Sequence, residues 1–191
     1  MISAQSEKVT KGRLRKIIKM IGDDPDRPGL VNTPERVLRM WKEIFKGYDK
    51  ETYPKVSTFY EPDSSGLVVD KGYFYSTCEH HMLPFFGEYA FGYIPYNGLV
   101  IGASKIARIV DWHSSRLQIA ERLCKEILID IDRKINPLGS ILLMCGRHLC
   151  KEMRGVKQHN SSFEILEAFG VLFENDKGCK DEFLARIGVK L

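Results

Sequence analysis

Two short clusters of metal-ligating side chains, far apart in the sequence, constrain this chain more than any other feature. Cys78-Glu79-His80-His81 follows one strand-like apolar run, and His148-Leu149-Cys150 closes another. A single ion can use both only if the fold sets the ends of two strands side by side. Within the first cluster, Cys-x-x-His lets one turn bring a thiolate and an imidazole to one ion. An isolated Cys-x-x-His is more often a small buried cysteine beside surface histidines. The density of titratable groups after Cys78, and the second cluster, tip the balance toward a metal. Three thiolate or imidazole ligands with one open position is the catalytic arrangement for zinc, whereas structural sites close with four. An open-site zinc brings the pKa of bound water toward ~7, and imidazoles left nearby can carry protons. Spacing alone does not choose between His80 and His81 as the ligand.

The rest of the chain can supply a core to hold such a site. It has 191 residues, 43% hydrophobic and 28% charged, which suits one ordinary domain or a domain with an N-terminal appendage. Lys plus Arg number 29 against 25 Asp plus Glu, for a net charge of +4. The basic residues are spread without long runs, so composition does not point to nucleic acid and leaves room for a local basic pocket for a small anion. No stretch approaches the ~20 apolar residues of a membrane span, and Met1 to Lys11 lacks a signal-peptide core. A cytoplasmic protein is expected. The odd count of five cysteines argues against a disulfide framework. Cys124 and Cys145 read as core, Cys179 as an exposed bystander in a polar tail, and His113 and His159 as histidines without a partner pattern.

The pattern of elements predicts an α+β fold. Leu14, Ile17, Ile18 and Ile21 share one helical face. Thr33, with Pro34 behind it, reads as the N-cap of a second helix ending at Gly47. Residues 48–66 read as a linking loop. This gives an N-terminal helical region over 1–50 and a main domain over 51–191. Strands are predicted at about 67–76 and 86–95, with Asn97-Gly98 as a hairpin turn into 99–102. A helix from Ser104 and a longer one carrying Ile119, Leu123, Ile127, Ile131 and Ile135 follow, the second stopped by Asn136-Pro137. Strands at 140–149 and 162–173 and a short helix over 181–187 complete the chain. Mostly antiparallel pairing is expected.

A second constellation suits an anion. Ser104 can cap the helix that follows Gly102, whose free N–H groups attract negative charge. Lys105 and Arg108 lie three apart on the same face at the positive end of the dipole. A capped, solvated helix explains the same residues equally well. Arg154 could bring a guanidinium to the zinc end of the pocket. Glu121 could accept hydrogen bonds from the N–H and amino edge of guanine, although by spacing it is an ordinary helix-surface glutamate.

Taken together, the segments resemble GTP cyclohydrolase I. The resemblance runs from about Gly22 to the C-terminus. It is carried by Ser76-Thr-Cys-Glu-His-His-Met-Leu-Pro-Phe-Phe-Gly87, Gly92-Tyr-Ile-Pro95, Ser104-Lys-Ile-Ala-Arg-Ile-Val110, Arg116-Leu-Gln-Ile-Ala-Glu-Arg-Leu123 and His148-Leu-Cys-Lys-Glu-Met-Arg-Gly-Val156. It implies that Cys78, His81 and Cys150 bind zinc, and that His80 and His148 handle protons. It places Ser104, Lys105, Arg108 and Arg154 at the triphosphate of GTP and Glu121 at the guanine edge. It also implies the tunnelling fold, in which N-terminal helices precede an antiparallel sheet packed with two helices. Such chains assemble into a toroidal homodecamer of two pentamers, with active sites between subunits. The implied reaction converts GTP to 7,8-dihydroneopterin triphosphate and formate.

The chain departs from that pattern in places. Ala120 stands where relatives often carry Gln, and Ser161-Ser-Phe-Glu-Ile-Leu166 replaces much of a Ser/Thr-rich strand. The segment before Cys78 is shortened, with 58–67 a variant loop. Two other readings follow: a tunnelling-fold relative acting on another pterin or a deazaguanine, and a zinc-binding protein without turnover. The second requires a closed four-ligand site.

Overall fold

The computed structural model describes residues 4–170 and 177–188. The chain divides into two compact units, residues 1–46 and 47–191.

The first unit is a helix pair, α1 (Ala4–Met20) and α2 (Thr33–Ile44). Ile18 and Leu38 are buried, but Ile17 and Ile21 of the predicted apolar face stay exposed, as does Met20. Lys42 bonds Glu7, and Arg27 forms a bidentate pair with Asp23 at 2.8 Å. The cap of α2 is Asn32, without a side-chain bond, so Thr33 is the first helical residue and not the cap. The helix ends at Ile44, before the predicted Gly47.

The second unit is built on a five-stranded sheet. Its strands are β2 (Val68–Cys78), β3 (Pro84–Ile94), β5 (Leu117–Gln118), β6 (Gly139–His148) and β7 (Phe163–Phe169), in the order β5-β2-β3-β6-β7. All neighbours pair antiparallel except the short β5, which runs parallel to the end of β2. The predicted strand 162–173 is seen through Phe169, and its residues 171–173 lie outside the described ones.

The Asn97-Gly98 turn does form, with both residues at positive φ (51° and 70°). Its outgoing strand β4 (Leu99–Ile101) nevertheless pairs with β1 (Thr58–Tyr60) in a separate ribbon, and not with β3. The expected hairpin is thus corrected, and the expected loop 48–66 contains a strand. The reason is competition for an edge: β3 is already paired along both sides, by β2 and β6.

One face of the sheet is covered by α3 (Ala103–Ser114) and α4 (Ala120–Ile135). Leu123, Ile127, Ile131 and Ile135 of α4 are essentially fully buried. Each such side chain gains about 1.5–3 kcal/mol by leaving water. The helix stops before Asn136-Pro137 as expected, with Asn136 as its cap in a left-handed conformation. The opposite face is covered near Ala90, Ile94, Ile141 and Leu143 by Phe183 and Leu184 of α6 (Lys177–Ile187). Cys124 and Cys145 lie against the core as expected, whereas Cys179 packs against the Phe183 cluster and is not an exposed bystander.

His113 has partners the sequence did not reveal. Its ring accepts from Arg116 at Nδ1 and donates from Nε2 to Asp130 at 2.9 Å, while Tyr53 donates to the same carboxylate at 3.0 Å. Burial pushes the Asp130 carboxyl up, but these bonds and the Lys134 charge outweigh it, and its pKa falls below the usual value. A depressed carboxylate stabilises the fold above its unfolded pKa of about 3.9 and loses that contribution as pH falls through the folded value. We therefore expect Asp130→Ala to cost about 1–3 kcal/mol near neutral pH, from the two donors it strands. Urea unfolding at pH 7 and pH 3 tests this. The gap between variant and parent should narrow at pH 3, and an equal gap would refute the role of the charge.

Candidate active site

The register of the sheet brings the two clusters together. Thr77 pairs with Pro84 and Phe85 with His148, so the end of β2, the start of β3 and the end of β6 meet at one end of the sheet. Cys78 is the last residue of β2 and is buried. Its N–H donates to Leu83 O at 2.9 Å, and Met82 N–H returns to Cys78 O at 2.8 Å, closing the tight loop that carries Glu79, His80 and His81. Met82 sits at φ 54° to make that loop. Beyond His148 the chain winds one helical turn, α5 (Leu149–Glu152), which swings Cys150 back over the strand end. Arg147 clamps this turn, donating from Nε to the buried Glu152 carboxylate at 2.8 Å.

The result is a compact group. The Sγ atoms of Cys78 and Cys150 are 4.0 Å apart, and His148 Nδ1 is 3.4 Å from Cys150 Sγ. Ligand atoms of Cys78, His148 and Cys150 all lie within 4.8 Å of one another. His80 Nδ1 is 3.8 Å from Cys78 Sγ. His81 is turned to the rim, where its Nε2 accepts from Arg154 Nη1 at 2.6 Å. Burial, and then the neighbouring Cys78, push the Cys150 thiol up. Burial holds the His148 imidazole below its usual range, with the Glu121 carboxylate working against it.

Glu121 is therefore close enough to act on His148. It lies in the first turn of α4, which β5 docks beside Cys78 through the Cys78–Gln118 pairing. The same junction holds the loop from outside. Glu79 N–H donates to Gln118 O at 3.0 Å, and the Glu79 carboxylate takes a bond from Arg122, which also donates to Gln118 Oε1 at 2.9 Å.

The other expected residues lie elsewhere. Ser104, Lys105 and Arg108 are at the start of α3, whose cap is Gly102, so Ser104 is inside the helix and does not cap it. Just before this helix, Ile101 N–H donates to Tyr93 Oη at 3.3 Å. Tyr93 is eight residues along β3 from Phe85, about 27 Å of extended strand. Within one chain, the start of α3 and the cysteine pair thus sit at opposite ends of the sheet.

Sequence reasoning missed the supporting groups Phe85, Phe163, Arg122, Arg147 and Glu152. Phe85 and Phe163 carry only the signal of strand hydrophobes, and the three polar residues only that of ordinary surface charge. Their partners come from other strands or the next turn, so no local pattern marks them.

Comparison with known proteins identifies the family. The family model described as GTP cyclohydrolase I matches residues 10–188. A GTP cyclohydrolase 1 of Caldanaerobacter subterraneus is 41% identical over 185 residues, covering 96% of this chain and 97% of the relative. GTP cyclohydrolase 1 of Latilactobacillus sakei is 39% identical, covering 96% and 98%, and that of Lactiplantibacillus plantarum is 38% identical, covering 98% and 99%. With a match along nearly its whole length and the cysteine and histidine clusters gathered at one end of the sheet, this chain belongs to the GTP cyclohydrolase I family.

Proposed function

We propose that this protein is a zinc-dependent enzyme converting GTP to 7,8-dihydroneopterin triphosphate and formate, with residues 51–191 as the catalytic domain and 1–50 as a helical appendage. The observation that carries this reading is the pair of thiols 4.0 Å apart, flanked by three histidines, Arg154 and Glu121. The donor set fits the metal. Two thiolates about 2.3 Å from one tetrahedral zinc lie ~3.8 Å apart. A bound cation would displace the thiol protons that burial and the close sulfur pair otherwise hold. A reducing compartment, the cytoplasm, keeps them available.

Cys78, His81 and Cys150 would hold the zinc, His81 giving up its contact with Arg154. One observation favours His148 as the third ligand instead, namely its place within 4.8 Å of both sulfurs. Zinc bound there supplies a Lewis acid that makes water nucleophilic near neutral pH. His80 protonates the imidazole-ring nitrogen of the purine as water adds at the adjoining carbon. His148 moves the further protons needed for ring opening. Formate leaves, the ribose rearranges by an Amadori-type step, and reclosure gives the pterin. Release of formate consumes two waters and reclosure returns one. Glu121 accepts from the guanine edge, and Arg154 faces the triphosphate.

Ser104, Lys105 and Arg108 bind the triphosphate from a neighbouring copy, because in their own chain they lie at the other end of the sheet. The working form is accordingly a homo-oligomer, proposed as a toroidal decamer of two pentamers. Two features support association. Most of β2 and all of β7 have an unpaired outer edge among the described residues, and Ile17 and Met20 of α1, with Ile21 just after it, are exposed. The direct test incubates zinc-loaded protein with GTP and measures formate and the fluorescent oxidised pterin. Both should appear in equal amounts, and neither appearing, where a known member of the family works, would refute the reading.

A further inference from the structure

His148 is held by two aromatic rings. Phe85 stacks on its imidazole with centroids 4.5 Å apart and planes 10° apart. Phe163, at the start of β7, leans on it at 4.9 Å and 55°. The two phenylalanines meet each other edge-on at 6.2 Å, so the three rings form a closed corner. Space for the third ring comes from Gly146. A Cβ there would lie 2.9 Å from Phe163 Cζ and 2.7 Å from Phe86 O. Gly146 is the register partner of Phe163 and stands two residues before His148 on the same face of β6. Any side chain at 146 would push Phe163 off the imidazole.

We propose that Phe163 is a positioning residue for the reaction. It fixes the plane of the His148 ring so that Nδ1 stays facing Cys150, and this rests on the reading of His148 as a proton carrier. Phe85 alone leaves one flank of the imidazole open, and a stacked ring can slide and turn about its last side-chain bond. A proton carrier displaced by about 1 Å can lose up to about a hundredfold in rate. The Phe163 side chain is a hydrocarbon with no proton to give or take, so its contribution acts through the orientation of His148. It is also only partly buried, on the outer strand of the sheet, where replacement by a residue of similar volume is tolerated.

The test uses full-length zinc-loaded Phe163→Leu and Phe163→Tyr. Phe163→Leu should keep its zinc and lower kcat for formate release about tenfold with KM within about twofold. Phe163→Tyr, which keeps the ring, should recover kcat to within about twofold. The carbon-bound ring protons of His148, shielded by both aromatic faces in the parent, should lose part of that shielding in Phe163→Leu and keep it in Phe163→Tyr. An unchanged kcat, a loss confined to KM, failure of Tyr to restore the rate, or unaltered His148 resonances in Phe163→Leu would overturn the proposal. His148→Asn separates the two ideas. Full activity in that variant sinks the proton-carrier reading and the proposal with it. Loss of activity in His148→Asn beside a fully active Phe163→Leu sinks the positioning role alone.

Discussion

Replacing His81 with Asn should strip zinc from the protein, whereas replacing His148 with Asn should leave zinc bound and cut GTP turnover by about 10²–10⁴, the usual contribution of a proton carrier. Metal analysis of the purified variants, with formate release, reads both quantities. The expectation is sharp because the geometry makes the opposite assignment arguable. His148 Nδ1 is 3.4 Å from Cys150 Sγ, while His81 contacts Arg154. If His148→Asn loses zinc and His81→Asn keeps it, the ligand set is Cys78, His148 and Cys150, and His81 belongs to the rim. Both outcomes keep Cys78 and Cys150 as the proposed ligands, since their sulfurs stand near the spacing of two thiolates on one tetrahedral zinc.

Co-expressing Lys105→Ala with His148→Asn should restore activity that neither variant has alone. Removing Lys105 costs about 2–5 kcal/mol if it is the desolvated partner of a phosphate oxygen. Each homo-oligomer then carries a defect in every site. A site that draws Lys105 from one copy and His148 from another is intact in about one case in four when the two variants mix at random. This follows from the sheet. Phe85, beside His148, and Tyr93, beside the start of α3, are eight residues apart on β3. No recovery in a mixed oligomer that assembles normally would mean that both groups serve one site from the same chain, or that Lys105 serves none.

Much of the fold could be read from local pattern. The α4 stripe of Leu123, Ile127, Ile131 and Ile135 is buried as its spacing implied, because a four-residue interval places side chains on one helix face whatever lies opposite. The stop at Asn136-Pro137 is equally local. Where pattern misled, the outcome depended on a distant partner. Asn97-Gly98 makes its turn, yet β4 joins β1, because β3 had no free edge to offer. Ser104 suits a cap by type, but Ile101 is tied to Tyr93 and the cap falls earlier, at Gly102.

The same division runs through the site. By itself the sequence determined which side chains can do the chemistry: Cys78, Cys150 and the three histidines are ligand and proton-carrier types in two tight clusters, and donor chemistry is a property of the side chain. Only the tertiary structure decided how they meet. Cross-strand register sets Phe85 against His148, the parallel stub of β5 pairs Gln118 with Cys78 just before α4 begins, and Gly146 leaves room for Phe163 to close over the imidazole. Register and close approach are long-range facts, fixed by how whole strands pack, and no window of neighbouring residues contains them.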